Sequence, residues 1–186
     1  MTRPARPADI RFYVDADVLG LAKILVQVRG DLTYPGDPGG TLHRRTRPPC
    51  PIESPAVKDD IWIPQVAARG WLIITRDAKI AANRAEIAAV RNSRARMVVL
   101  TGSETTGTWK QLEVFMCQWR RIEALLDERA PFIYSATRTA LRRIPLDQRT
   151  GGSFATAYVC KANWTGRAPL PSSPPRSPLL DPGSRL

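Results

Sequence analysis

The chain has 186 residues and a mass of 20.6 kDa, which leaves room for one domain of usual size and a tail but not for two ordinary domains. Hydrophobic residues make up 43% and charged residues 24%, which excludes a wholly disordered chain. Lys plus Arg total 28 against 17 for Asp plus Glu, a formal +11, and this excess points to a polyanionic partner. No apolar run approaches the roughly 18 residues that span a bilayer. The first nine residues carry two Arg and two Pro without an apolar core, so neither a membrane span nor a secretory leader is expected. Cys50, Cys117 and Cys160 are odd in number and not in CxxC pairs, the usage of a reducing cytoplasm. His43 is the only His, too little for a His-based metal centre or a Ser-His-Asp triad.

The predicted elements alternate between strand and helix. Residues 10–14 are apolar with a branched and aromatic bias and read as a buried strand. Val18, Leu21, Ala22, Leu25 and Val26 recur at helical spacing, with Gly30 as the stop. Residues 32–34 are a candidate short strand. Residues 33–56, with three Gly, six Pro and the cluster His43, Arg44, Arg45, Arg47, read as an irregular loop that needs a reason at that length. Asp59 or Asp60 caps a helix running to about Arg69, with Pro64 near its first turn. WLIIT (71–75) is the clearest buried strand, 78–90 an amphipathic helix, and MVVLT (97–101) another strand.

Thr108 and Gln111 resemble a capping box at the head of the longest helix. That helix carries Trp109, Leu112, Phe115, Met116, Trp119, Ile122 and Leu126 on one stripe, which reads as core. Residues 132–135 form the last strand. Apolar strands alternating with helices predict an α/β fold, a three-layer α/β/α sandwich around a mostly parallel sheet of about five strands. Residues 145–186 hold 7 of the 17 Pro, 5 of the 28 basic residues and 2 of the 17 acids. They read as a disordered Pro-rich tail. The domain is then 1–144, with 23 basic and 15 acidic side chains, net +8.

Ligands of such a sheet bind beyond the carboxyl ends of its strands, and acids fall there. Asp15 and Asp17 follow the first strand, and Asp77 follows WLIIT after Arg76. Asp59 and Asp60 open the helix feeding that strand. Each alone is an ordinary turn former or cap. Together, carboxylates in one place repel unless a cation sits among them, and an all-oxygen set suits Mg2+ or Mn2+. Such an ion can activate a water against a phosphodiester, with Arg76, Lys79 and Arg84 placed to hold phosphates.

Three blocks, FYVDADVLGLAKIL, KDDIWIPQVAARGWLIITRD and APFIYSATR, occur in an order that resembles a PIN-like domain. More narrowly the chain is similar to the branch that includes VapC-type toxin ribonucleases of toxin–antitoxin modules. The likeness runs from about Ile10 to Ile144. It implies a compact α/β/α sandwich and Mg2+- or Mn2+-dependent cleavage of RNA. By motif, Asp15, Asp59 and Asp77 match the family's acids, with Asp60 the fallback for Asp59 and Asp17 a further acid. The chain departs from the pattern between its first helix and the DxxW block, where many members carry a Glu. Here only Asp37 or Glu53 is available to substitute.

The resemblance implies an RNA substrate and a cognate antitoxin as partners. It leaves a homodimer open, and no membrane partner is expected. The alternative is a PIN-like module without catalysis that binds nucleic acid or a partner protein.

Overall fold

The computed structural model describes residues 4–77, 84–102 and 105–146, with 84–86 as backbone alone. The first two strands expected from the sequence are present and shorter, β2 Phe12–Val14 and β3 Leu32–Thr33, preceded by a two-residue strand, β1 Arg6–Pro7. Helix α1 covers Leu19–Leu25. It ends well before Gly30, because Gln27 and Val28 donate to the Ile24 and Leu25 carbonyls three residues back and tighten the last turn. The stretch read as irregular loop holds a hairpin, β4 Gly40–Leu42 and β5 Arg45–Arg47. Its two-residue turn, His43 and Arg44, has φ of 47° and 64°. Paired left-handed residues match the strand twist, a role that Asn-Gly usually fills. β1 runs parallel to β5, so these three strands form a small sheet of their own in the order β1-β5-β4.

Helix α2 spans Asp59–Ala68. Lys58 takes the cap position, so Asp59 and Asp60 lie inside the first turn, where their charge still favours the helix dipole. Strand β6 is Leu72–Thr75, helix α3 is described over Arg84–Ser93, and β7 is Arg96–Leu100. The expected helix start at 78–83, with Lys79, lies outside the described residues. Helix α4 covers Thr108–Ala124. The expected capping box is absent. Gly107 holds the cap position, and the buried Gln111 amide donates to the Thr105 carbonyl at 3.1 Å. The helix stripe is narrower than expected. Phe115 and Ile122 are buried, but Trp109 is 77% and Met116 59% exposed. Strands β8 Phe132–Ala136 and β9 Leu141–Ile144 close the described fold. The expected Pro-rich tail lies outside the described residues from 147 onward.

The result is a mixed α/β fold. One six-stranded sheet has the order β3-β2-β6-β7-β8-β9, parallel except for the β8–β9 pair. Side chains alternate between its faces, as a pleated strand requires. Phe12, Val14, Leu72, Ile74, Val98 and Leu100 pack with α1 and α4 residues such as Leu21 and Phe115. Tyr13, Ile73, Met97 and Val99 pack in a second cluster with Trp62, Val66, Ile87 and Val90 of α2 and α3. Among the described residues no helix is long and apolar enough to cross a membrane.

Candidate functional site

The register β2–β6 sets the site. Val14 pairs with Ile74, so the chain leaves both strands at the same level, and the Asp15 N–H donates to the Ile74 carbonyl at 2.9 Å. Asp15 and Thr75 are thereby neighbours across a parallel pair. Beyond β2 a single tight turn, Ala16–Val18, swings Asp17 back toward β6.

Thr75 is the hub. Its hydroxyl lies 3.0 Å from Asp15 Oδ2 and 3.3 Å from Asp17 Oδ1, and it accepts the Asp77 N–H at 3.1 Å. Asp17 Oδ2 accepts the Arg76 N–H at 2.8 Å, and Asp15 Oδ1 the Ala16 N–H at 2.6 Å. A hydroxyl has one proton. It satisfies one of the two carboxylates facing it and leaves the other short of a donor. Asp15 is 9% exposed, and its carboxyl is pushed up to about 7, by burial first and then by the Asp17 charge. Asp17 is also pushed up by desolvation, against the Arg76 N–H, the Thr75 hydroxyl and the Arg76 charge, with the Asp77 charge adding to the rise. Two acids in want of positive charge stand at the carboxyl end of the parallel sheet.

Asp59 approaches from α2. Its Oδ1 accepts the Trp62 indole N–H at 2.9 Å, and Trp62 stacks on Tyr13, with ring centroids 5.0 Å apart. Tyr13 lies two residues before Asp15. Its hydroxyl is held far above its usual range by burial first, then by the charges of Asp15, Cys50 and Asp59. Asp59 and Asp15 thus flank one ring. Asp60 and Arg76 are exposed, while Asp77 is half-buried in the turn after Thr75.

The other expected residues separate from this corner. Asp37 is 3% exposed and engaged by Arg47, which also donates to the Leu32 carbonyl at 3.1 Å. Asp37 further accepts from Thr33 Oγ1 at 3.3 Å and the Gly39 N–H at 2.9 Å. Glu53 is exposed. Lys79 and the Arg84 side chain lie outside the described residues.

The oxygen-only donors and the shortage of positive charge at Asp15 and Asp17 fit a hard divalent cation. The fit is incomplete: among the described residues no three His, Cys, Asp or Glu side chains are grouped closely enough to hold one ion. Asp59 spends one oxygen on Trp62, and Asp15 and Asp17 are turned onto Thr75. Sequence reasoning missed Thr75. Its only signal is a hydroxyl at the end of an otherwise aliphatic strand directly before the Arg76–Asp77 pair.

Fold and site define a class, an α/β domain with acids at the carboxyl end of a parallel sheet. Residues 41–102, about a third of the chain, match a family model described as a PIN like domain. That stretch runs from the hairpin through β7 and includes Asp59, Asp60, Thr75 and Asp77, with Asp15 and Asp17 outside it. It supports a PIN-like domain, a kind of domain that is often a nuclease. No curated protein and no solved structure matches the chain.

Proposed function

We propose that this chain is a divalent-cation-dependent endoribonuclease of the PIN-like kind, acting in the cytoplasm as the toxin of a type II toxin–antitoxin module with a cognate antitoxin. The reading includes an α/β/α architecture for 1–144, supported by separate cores on the two sheet faces. The observation that carries it is the Asp15–Thr75–Asp17 junction, two carboxylates sharing one hydroxyl proton with Asp77 in the adjoining turn.

Asp15 and Asp17 would face the ion, and a third carboxylate, Asp77 or Asp59, would have to turn toward them to complete the set. Bound there, the ion would supply Lewis acidity for phosphodiester hydrolysis. Thr75 fixes the two carboxylates at one level of the sheet. Exposed Arg76, whose N–H already holds Asp17, offers its guanidinium to a flanking phosphate.

A binding module without catalysis is the second reading. It is favoured by Asp37 being tied to Arg47, which removes one of the two candidate substitutes for the family's Glu and leaves the exposed Glu53 as the other. Incubation of unstructured and structured RNA with Mg2+, Mn2+ or EDTA separates the two. Cleavage that needs the ion and vanishes in Asp77→Asn supports the nuclease. RNA binding without cleavage under any ion selects the module, and undiminished cleavage by pure Asp77→Asn overturns the site.

A further inference from the structure

Arg76 alone is a small grip for a polyanion beside several carboxylates, so further phosphate contacts are expected away from the acidic corner. The small sheet β1-β5-β4 has the required chemistry. Arg6, His43, Arg44 and Arg45 are all exposed on it, and among the described residues Arg6, Arg44 and Arg45 take part in no ion pair. Backbone bonds stitch it together: the Arg6 N–H donates to the Arg44 carbonyl at 2.9 Å and the Ala8 N–H to Thr46 at 2.8 Å. The buried Arg47–Asp37 pair fastens the hairpin to β3, so the arm is mounted on the main sheet.

Two further observations point to a ligand. The tip places His43 and Arg44 in left-handed backbone where Gly or Asn is the easy choice, so two long polar side chains are kept there at a steric cost to the backbone. Between arm and sheet lies a cavity of about 590 Å3, lined by Arg11, Arg29, His43 and Arg45 with Asp9 and Asp31. Asp31 is taken by bonds from Arg11 at 2.6 Å and Arg29 at 2.8 Å, and Glu123 lies 3.5 and 3.4 Å from the same two guanidinium groups, so the unpaired charge facing the cavity is that of the arm's Arg45. Arg11 and Asp15 stand at opposite ends of the buried strand β2, about 13 Å apart at strand rise, so RNA held at the arm reaches the acids only by passing around the sheet.

We infer that the β1-β5-β4 arm is an RNA-docking element that holds backbone phosphates with Arg6, Arg44 and Arg45, at the end of β2 opposite the acid corner. The inference rests on RNA as the partner and not on cleavage. A second arginine cleft, at the start of β6 and β7, offers a weaker case. There Arg96 already donates to the Leu126 carbonyl just beyond α4.

The test is fluorescence anisotropy of the full chain with a labelled single-stranded RNA in EDTA, as a function of salt. Arg44→Gly with Arg45→Ala removes two charges and relaxes the strained turn, so thermal stability is expected to hold. Two phosphate contacts fewer lower the magnitude of the log–log salt slope by about 1.4 and the affinity by roughly 25-fold at 0.1 M salt. The control, Arg94→Ala with Arg129→Ala in the other cleft, removes the same charge and is expected to change affinity far less.

Equal losses from both pairs would overturn the arm as a specific dock, as would an unchanged slope in the arm variant. No RNA binding by the unaltered chain would instead sink the RNA reading. Arm-independent binding with intact Mg2+-dependent cleavage would leave the nuclease standing and remove only the arm.

Discussion

Asp37→Ala separates a structural acid from a fourth site acid. Asp37 and Arg47 are 3% and 6% exposed, and the carboxylate accepts from Thr33, Gly39 and Arg47. Truncation leaves a guanidinium in the interior with the Leu32 carbonyl as its remaining partner, while its Nε already lacks one. Breaking a buried pair from one side costs about 3–5 kcal/mol, because the surviving charge stays uncompensated. For a domain of this size that is a fall in Tm of roughly 6–20 °C. The assays are urea unfolding and thermal melts in EDTA. Asp37→Ala with Arg47→Met removes both charges and is expected to recover most of the loss, since desolvation falls away with the pair. A loss below about 1 kcal/mol together with weakened Mn2+ binding would refute the reasoning and make Asp37 a ligand.

Asp15→Asn is expected to abolish ion-dependent cleavage and to raise the melting midpoint in EDTA at neutral pH. It removes one of two carboxylates competing for the Thr75 proton. A lower midpoint in differential scanning fluorimetry would mean that the charge stabilises the fold. Asp31 gives a pH prediction. Burial works against its charge, but hydrogen bonds from Arg29 and then Arg11 outweigh that and hold its carboxyl below the usual range. Its contribution is therefore present above about pH 4 and is lost as pH falls through the lowered value. Asp31→Asn should flatten the acid limb of a stability-against-pH curve below pH 4, and an unchanged limb would contradict the assignment.

Much of the fold was legible because buried parallel strands announce themselves. WLIIT and MVVLT have no polar side to conceal, and the sheet buries Leu72 to Ile74 and Met97 to Leu100 completely. The hairpin was not legible. Its strands are polar and largely exposed, and its turn is His-Arg rather than a glycine pair. β9 escaped for a related reason: Arg142 and Arg143 are exposed on a strand with a single neighbour, so no alternation survives. Along α4, spacing alone overreached. Trp109 stands in the first turn, and Met116 is turned a helical step away from buried Phe115.

At the candidate site the strand-end rule found Asp15, Asp17 and Asp77, because chain order fixes which residue follows a strand. It could not find Thr75, whose role comes from the β2–β6 register, or the loss of Asp37 to Arg47, a pairing made only by the hairpin's docking.

The central claim is that a divalent cation sits at the Asp15–Thr75–Asp17 junction. Crystals soaked in Mn2+ and measured at the manganese edge test it directly. An anomalous peak about 2 Å from carboxylate oxygens of Asp15 and Asp17 or Asp77, absent from Asp15→Asn, is the expected result. Mn2+ peaks only at other acids, from protein that still cleaves RNA in a Mn2+-dependent way, would contradict it.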